Sequence, residues 1–268
     1  MNREGEAIMN ELLKGKAVLV TGASSGIGRA IAIELGRCGA DVWLVGRSQS
    51  DLADTASAIA QAGGPQATPV SMDLRLRGPL RELIEAIGNQ HPHLFAVINN
   101  AGVMFPEPIM EGTVDRWQAM LDINVMAQLE GSQAAVNAMR AHGKPGHVIN
   151  IGSVQGRFEE PGVYGISKKA AEMIGETLRK ELEHDDIRVA TVILGGFATS
   201  LSRGFNEQSL MNIAGNLERL GIERTSPEIA RIVGDPQHVA NIVRYILEQP
   251  IDINLHEVFI RPPISTKA

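Results

Sequence analysis

Tyr164 and Lys168 stand four residues apart in the pentapeptide YGISK, and Ser153 lies eleven positions ahead of the tyrosine. On a helix, positions i and i+4 share a face, so the phenol and the ammonium project together. A phenol ordinarily titrates near pKa ~10. An ammonium beside it favours the phenolate and brings proton exchange toward neutral pH. The pair therefore reads as a proton donor to a developing alkoxide, or as an acceptor from an alcohol. Tyrosine and lysine also meet at this spacing on ordinary helices, so the rest of the chain must supply the context.

That context begins with what composition allows. The chain has 268 residues, 44% of them apolar, a formal charge of −6 and one cysteine, Cys38. This is enough apolar material for one large core. The acidic balance, with no basic run longer than Lys168-Lys169, argues against a nucleic-acid partner. A lone cysteine, read as a small buried helix residue, excludes an internal disulfide and a thiolate metal cluster and fits a reducing compartment. The leader MNREGEAIMNELLKG carries charges throughout. It has no apolar stretch of signal-peptide length, and nothing approaches the ~20 apolar residues of a membrane span. The expectation is a cytoplasmic protein with no membrane partner. The seven histidines show no ligand spacing on a helix, so no metal is expected.

The elements that must position the tyrosine start at residue 17, after an N-terminal extension over 1–14. An apolar run over 17–20 is followed by a glycine cluster, then by Ile27, Ile31 and Leu35 at helical spacing, then by a second apolar run over 42–45. This is a strand, turn, helix, strand unit of parallel-sheet type. Gly22, Gly26 and Gly28 fall in the turn that opens the helix. There, unpaired backbone N–H groups and the positive end of the helix dipole suit a pyrophosphate. Further strands are expected over 68–72, 94–98, 147–153, 188–194 and 255–260. Helices are expected over 51–62, 79–89, 113–140, from Tyr164 to about 184, and over 236–248. Seven strands alternating with helices make an α/β, Rossmann-type doubly wound parallel sheet, covered on both faces, as a single domain over 15–268.

TGASSGIG at 21–28, NNAG at 99–102, Asn124 in LDINV, Ser153 in NIGSVQG and YGISK occur in this order along most of the chain. Together they resemble the short-chain dehydrogenase/reductase family. The resemblance implies hydride transfer between a nicotinamide cofactor and a carbonyl or secondary alcohol. Tyr164 would be the general acid/base, Ser153 would bind the substrate oxygen, and Lys168 would tune the tyrosine and hold the nicotinamide ribose. Asn124 would hold a water linking the lysine to solvent, although on an apolar helix face it also reads as a hydrogen-bonded core amide. The implied cofactor contacts are Gly22, Ser24, Ser25, Gly26, Ile27 and Gly28 in the turn, then Asn100, Ala101 and Gly102 beside the adenine ribose. Asp73-Leu74 matches the position that meets adenine, and an aspartate capping the next helix would look the same.

Cofactor choice is written at the end of the second strand, Leu44-Val45-Gly46-Arg47-Ser48. An NAD-specific unit places an acid there to hold the ribose hydroxyls. Gly46 removes that acid, and Arg47 with Ser48 offers a charged fork and a hydroxyl to a 2′-phosphate, so NADP(H) is expected. Where the family has Pro-Gly followed by a threonine, this chain reads Gly195-Gly196-Phe197-Ala198-Thr199-Ser200, with Ser200 or Thr199 in the threonine's place. Residues 200–235 have the mixed composition of a substrate loop or lid. The apolar stripe of the tyrosine helix implies, by the same resemblance, a homodimer or homotetramer, and such a stripe also packs within one chain. The expected activity is an NADPH-dependent carbonyl reductase. An NAD-dependent alcohol dehydrogenase and a non-catalytic nucleotide-binding regulatory protein are the alternatives.

Overall fold

The computed structural model describes residues 13–158, 162–199 and 227–264, together with Met211, Gly215 and Glu218. Nearly all of the N-terminal extension, Ser200 and most of the 200–235 segment lie outside the described residues. Seven parallel strands form one sheet in the order β3-β2-β1-β4-β5-β6-β7. They are β1 (Ala17–Thr21), β2 (Asp41–Gly46), β3 (Thr68–Ser71), β4 (Leu94–Asn99), β5 (Gly146–Ser153), β6 (Ile187–Leu194) and β7 (Glu257–Ile260). β1 and β4 are buried at every position. Helices cover both faces of a parallel sheet, so its strands are continuous apolar runs rather than alternating ones.

One face carries α1 (Gly26–Arg37), α2 (Gln49–Gln61) and the last helix, α7 (Pro236–Glu248). Ile31, Leu35, Leu52, Ile59, Val239 and Val243 pack there on Val18, Val20 and Ile98. The other face carries α3 (Pro79–Gln90), the rod α4 (Val114–Leu121) with α5 (Ala127–His142), and α6 (Gly162–Glu181). Leu80, Ile84, Ala134 and Met139 meet Leu19, Val97 and Val148 on that side. Local chemistry sets the ends of several helices. Asp235 caps α7 by accepting from the Gln237 N–H at 2.8 Å, with Pro236 at the first helical position. Gly143 stops α5 at φ 62°.

Two departures from expectation matter for the site. The helix expected over 113–140 is interrupted by a π turn, Asp122–Met126. The wider turn rotates Asn124 relative to a straight α-helix, which periodicity alone does not reveal. In addition, the sheet centre is polar in one place. Asn99 in β4 donates to Asn150 Oδ1 in β5 at 2.9 Å and to Ser132 Oγ in α5 at 3.0 Å. Such a buried network pins the β4–β5 register and the seat of α5.

His147 in β5 is buried, with its ring 4.9 Å from that of Phe95. Desolvation, aided by the charges of Lys16, Arg188 and His93, lowers its pKa from 6.5 to about 4. The folded state thus binds this proton less readily than the unfolded one. The stability from a neutral His147 is complete above pH 6.5 and is lost as pH falls toward 4. The loss approaches about 3 kcal/mol. Urea melts of His147→Phe should therefore decline less than those of the parent between pH 7 and 4; equal declines would remove this residue from the acid response.

Candidate active site

The strand order reverses between β1 and β4, which opens a crevice at the carboxyl ends of the strands. The glycine turn lies on one side of it. Gly22 and Gly26 have φ of 69° and 54°, in the left-handed region. A Cβ on Gly28 would sit 2.3 Å from the Gly22 carbonyl oxygen, so the turn closes on itself only with glycine there. Ser25 is the N-cap of α1 in extended backbone, and the first turn of that helix has no acid. Ile27 packs against the core below, and the first N–H groups of a helix lack partners within it.

Thr21 holds the two banks together. Its hydroxyl accepts from the N–H groups of Asn100 and Ala101, both at 3.0 Å, and donates to the Ile98 carbonyl at 3.2 Å. Asn100 Nδ2 returns a bond of 2.8 Å to the Thr21 carbonyl. Asn100 and Ala101 are residues expected at the cofactor; Thr21 joins them unexpectedly, its signal in the sequence being its place directly before the first glycine at a strand end. Gly46 ends β2, and a Cβ there would stand 3.3 Å from both Ser24 Oγ and Leu52 Cδ2. Arg47 is exposed beyond it.

Ser48 and Asp73 have work within the chain. Ser48 Oγ accepts from the Asp51 N–H at 3.3 Å as the cap of α2 and lies 3.1 Å from Ser50 Oγ. Asp73 accepts from the backbone and the guanidinium of Arg75 at 3.0 Å, which holds its carboxyl down to about 2. Asp73 does not cap the next helix, whose N-cap is Gly78, and its partner is Arg75, which the sequence did not single out. Leu74 beside it is buried in the core.

On the other bank, Tyr164 and Lys168 are only 4% and 6% exposed on α6. Ser153, at the end of β5, is the neighbour that draws the Tyr164 pKa down, yet burial outweighs it and raises the pKa to about 12. This corrects the expectation of a phenol lowered by its lysine. The Lys168 ammonium donates to the Ile151 carbonyl at 3.0 Å, and desolvation lowers its own pKa to about 8. A buried ammonium so close to losing its proton is a weak charge to set against the phenol's desolvation.

Asn124 is a brace. Its Nδ2 donates to the Val103 carbonyl at 3.0 Å and to Ser167 Oγ at 2.9 Å, while its Oδ1 accepts from the Val103 N–H at 2.9 Å. Both amide N–H groups are thereby taken up, which leaves one lone pair on Oδ1 for the expected water. Ser167 completes the link by donating to the Tyr164 carbonyl at 2.6 Å. It lies inside YGISK, unnoticed because attention fell on the spacing of its neighbours. A Cβ on Gly102 would stand 3.3 Å from Asn124 Oδ1 and 3.5 Å from Lys168 Nζ, so this backbone lies against both.

The departure from Pro-Gly after β6 has a structural reason. The Gly195 N–H donates to the Ile260 carbonyl at 2.9 Å, a bond proline cannot make, and a Cβ there would meet that of Arg261 at 2.4 Å. The Gly196 carbonyl accepts from the Gly234 N–H at 3.0 Å, and Phe197 pairs with Gly234 as a parallel bridge. Thr199 follows, half-buried, at the end of the described stretch.

A doubly wound sheet that brings serine, tyrosine, lysine and asparagine together beside a glycine turn defines a class of oxidoreductase. The family model described as short chain dehydrogenase matches residues 16–210, and the chain belongs to that family. An uncharacterized oxidoreductase of Staphylococcus epidermidis is 32% identical over 255 residues, which is 93% of this chain and 98% of the relative. A metagenomic short-chain oxidoreductase solved in complex with NADP superposes with a TM-score of 0.75 at 27% identity, over 95% of this chain and 100% of that one. A short-chain dehydrogenase from Shigella flexneri, also complexed with NADP, gives 0.77 at 25% identity, over 97% and 100%. Among the described residues, no helix is long and apolar enough to cross a membrane.

Proposed function

We propose that this oxidoreductase is an NADPH-dependent reductase of small carbonyl compounds, running in reverse as a secondary alcohol dehydrogenase. The observation that carries the reading is that Tyr164 and Lys168 lie nearly closed off on one face of α6, with Ser153 at the end of β5 against the phenol. A nicotinamide, when bound, would supply the hydride. Tyr164, neutral through the physiological range, donates its proton to the oxygen as charge develops there. Ser153 donates to the same oxygen and stabilises it. Lys168, with a pKa near 8, can hand a proton inward and regain one, while Asn124 and Ser167 hold the helix and the 102–103 backbone in register.

The residues present fit the cofactor. The turn of Gly22, Ser24, Ser25, Gly26, Ile27 and Gly28 suits the pyrophosphate, with no carboxylate in the first turn of α1 to repel it. Gly46 leaves the ribose end of the site without an acid, and Arg47 with Ser48 would hold a 2′-phosphate. Asn100, Ala101 and Gly102 would flank the adenine ribose, Asp73 and Leu74 the adenine, and Gly196, Thr199 and Ser200 the carboxamide. The two NADP-bound neighbours support the same choice. The test is NADPH consumption across a panel of ketones, aldehydes and 3-oxoacyl thioesters, with NADH as control. Turnover with at least one carbonyl class is expected; cofactor binding without turnover on the whole panel would favour a regulatory protein.

Two further features belong to this reading. Phe197 and Gly234 lie side by side at the end of β6. This supports reading residues 200–235, most of which lie outside the described residues, as the substrate loop. Leu121, Met126, Leu129, Ile166 and Met173 are exposed on the α4–α5 rod and α6. Burying that apolar face against a second copy makes the protein at least a dimer, which sedimentation velocity at micromolar concentration would show.

A further inference from the structure

The link between Ser153 and Tyr164 is short, and one arginine within it is tied to two other elements. Directly after Ser153, a single 3-10 turn, Val154–Arg157, packs on α6. A Cβ on Gly156 would stand 2.9 Å from the Lys169 N–H nitrogen, so the turn rests against the helix backbone one residue beyond the catalytic lysine. Ser153 Oγ accepts from the Gln155 N–H at 3.2 Å, which joins its hydroxyl to the same turn.

Arg157 closes the turn. Its Nε lies 3.3 Å from Glu172 Oε2 on α6, and its Nη2 lies 2.9 Å from Glu257 Oε2 on the edge strand β7. The Glu172 side chain is 0% exposed, and Lys169 Nζ is its other cation, also at 3.3 Å. Glu172 follows Lys168 by four residues and Tyr164 by eight, so it continues their helix face. Its Oε1 is buried with no hydrogen-bond partner. A carboxylate in that position is retained only while its cations stay in place.

We propose that Arg157, held between Glu172 and Glu257, is a positioning residue that sets Ser153 against Tyr164 in the reaction described above. The inference rests on that reading of Ser153 and Tyr164. An arginine suits the place because its planar fork reaches two carboxylates at once, whereas a lysine offers a single point charge. Charged groups facing the guanidinium are Glu172 and Lys169 on α6 and Glu257 on β7, with Arg179 adding to the field at Glu257. The phenol itself faces Ser153, the one group that counters its burial.

The test is Arg157→Gln, followed by kcat and KM in both directions, NADPH affinity by fluorescence, and the pH dependence of alcohol oxidation. If Ser153 drifts from the phenol, the phenolate loses the neighbour that favours it and forms less readily. Oxidation at each pH from 6 to 10, which follows the phenolate fraction, should then fall about tenfold, and the fall should be absent when Arg157→Gln is made on Ser153→Ala. NADPH affinity should stay within a factor of about two. Glu257→Gln cuts only the exposed leg and should act the same way by less, and it decides the matter if Arg157→Gln does not fold. A folded variant that oxidises at the parent's rate, or whose loss is undiminished on Ser153→Ala, overturns the proposal. Retained activity in Tyr164→Phe would instead remove the underlying reading, whereas an inactive Tyr164→Phe beside a parent-like Arg157→Gln removes this inference alone.

Discussion

Tyr164→Phe is expected to lower carbonyl reduction by about 10²- to 10⁴-fold, the range of a lost general acid. Substrate and cofactor binding should barely change. The ring packs in a nearly closed site, and phenylalanine keeps that ring while deleting only the hydroxyl. Direction and pH distinguish a proton-transfer role from a packing role. Burial holds the phenol neutral, with a pKa about 12, and Lys168 titrates about 8. In the parent, reduction uses the protonated phenol and should be level through neutral pH, whereas oxidation needs the phenolate and should climb as pH rises. In the variant the residual oxidation should lose that climb. Steady-state rates from pH 6 to 10 measure this, and a residual oxidation that still climbs as steeply as the parent's would assign the proton to another group.

Arg47→Glu should reverse cofactor choice. The guanidinium's charge-assisted bonds to a 2′-phosphate are worth about 1.5–3 kcal/mol, and a carboxylate at the same strand end repels that phosphate while accepting from a free ribose hydroxyl. The ratio of kcat/KM for NADPH over NADH is therefore expected to fall about a hundredfold or more, with kcat on the preferred cofactor little altered. Arg47 is exposed, so the fold should tolerate the change. Initial-rate measurements with the two cofactors decide it; an unchanged ratio would place phosphate recognition elsewhere.

The sheet was legible because parallel strands buried on both faces appear as unbroken apolar runs, and the glycine spacing announces the first turn. YGISK and Ser153 could be placed on one helix face and one strand end from spacing alone. What spacing does not carry is which of two opposing effects prevails in a closed site. The expected downward pull of Lys168 on Tyr164 is such a case, since desolvation depends on how many neighbours surround the phenol. The π turn at Asn124 was invisible for a related reason: periods of 3.6 and 4.4 residues cannot be told apart over one turn. Thr21 and Ser167 were missed because short hydroxyl residues draw attention only when a partner is known, and their partners lie 79 and 43 residues away. The change from proline to Gly195 became intelligible only when Ile260 and Arg261 were found beside it.

The reversal of strand order between β1 and β4 also divides the chain's history of change. The groups proposed to choose the coenzyme, Gly46, Arg47 and Ser48, and those proposed to meet adenine follow the first three strands, whereas Asn100, Ala101 and Gly102 beside the ribose and the groups proposed to handle the reacting carbon follow the strands after the reversal. At the crevice the halves are tied by Thr21 and Asn100, above the β1–β4 ladder that joins them in the sheet. Selection acting on the later loops can therefore draw in new carbonyl compounds without renegotiating the coenzyme, and a swap of the first 75 or so residues between relatives should carry coenzyme preference with it while leaving the choice of substrate behind.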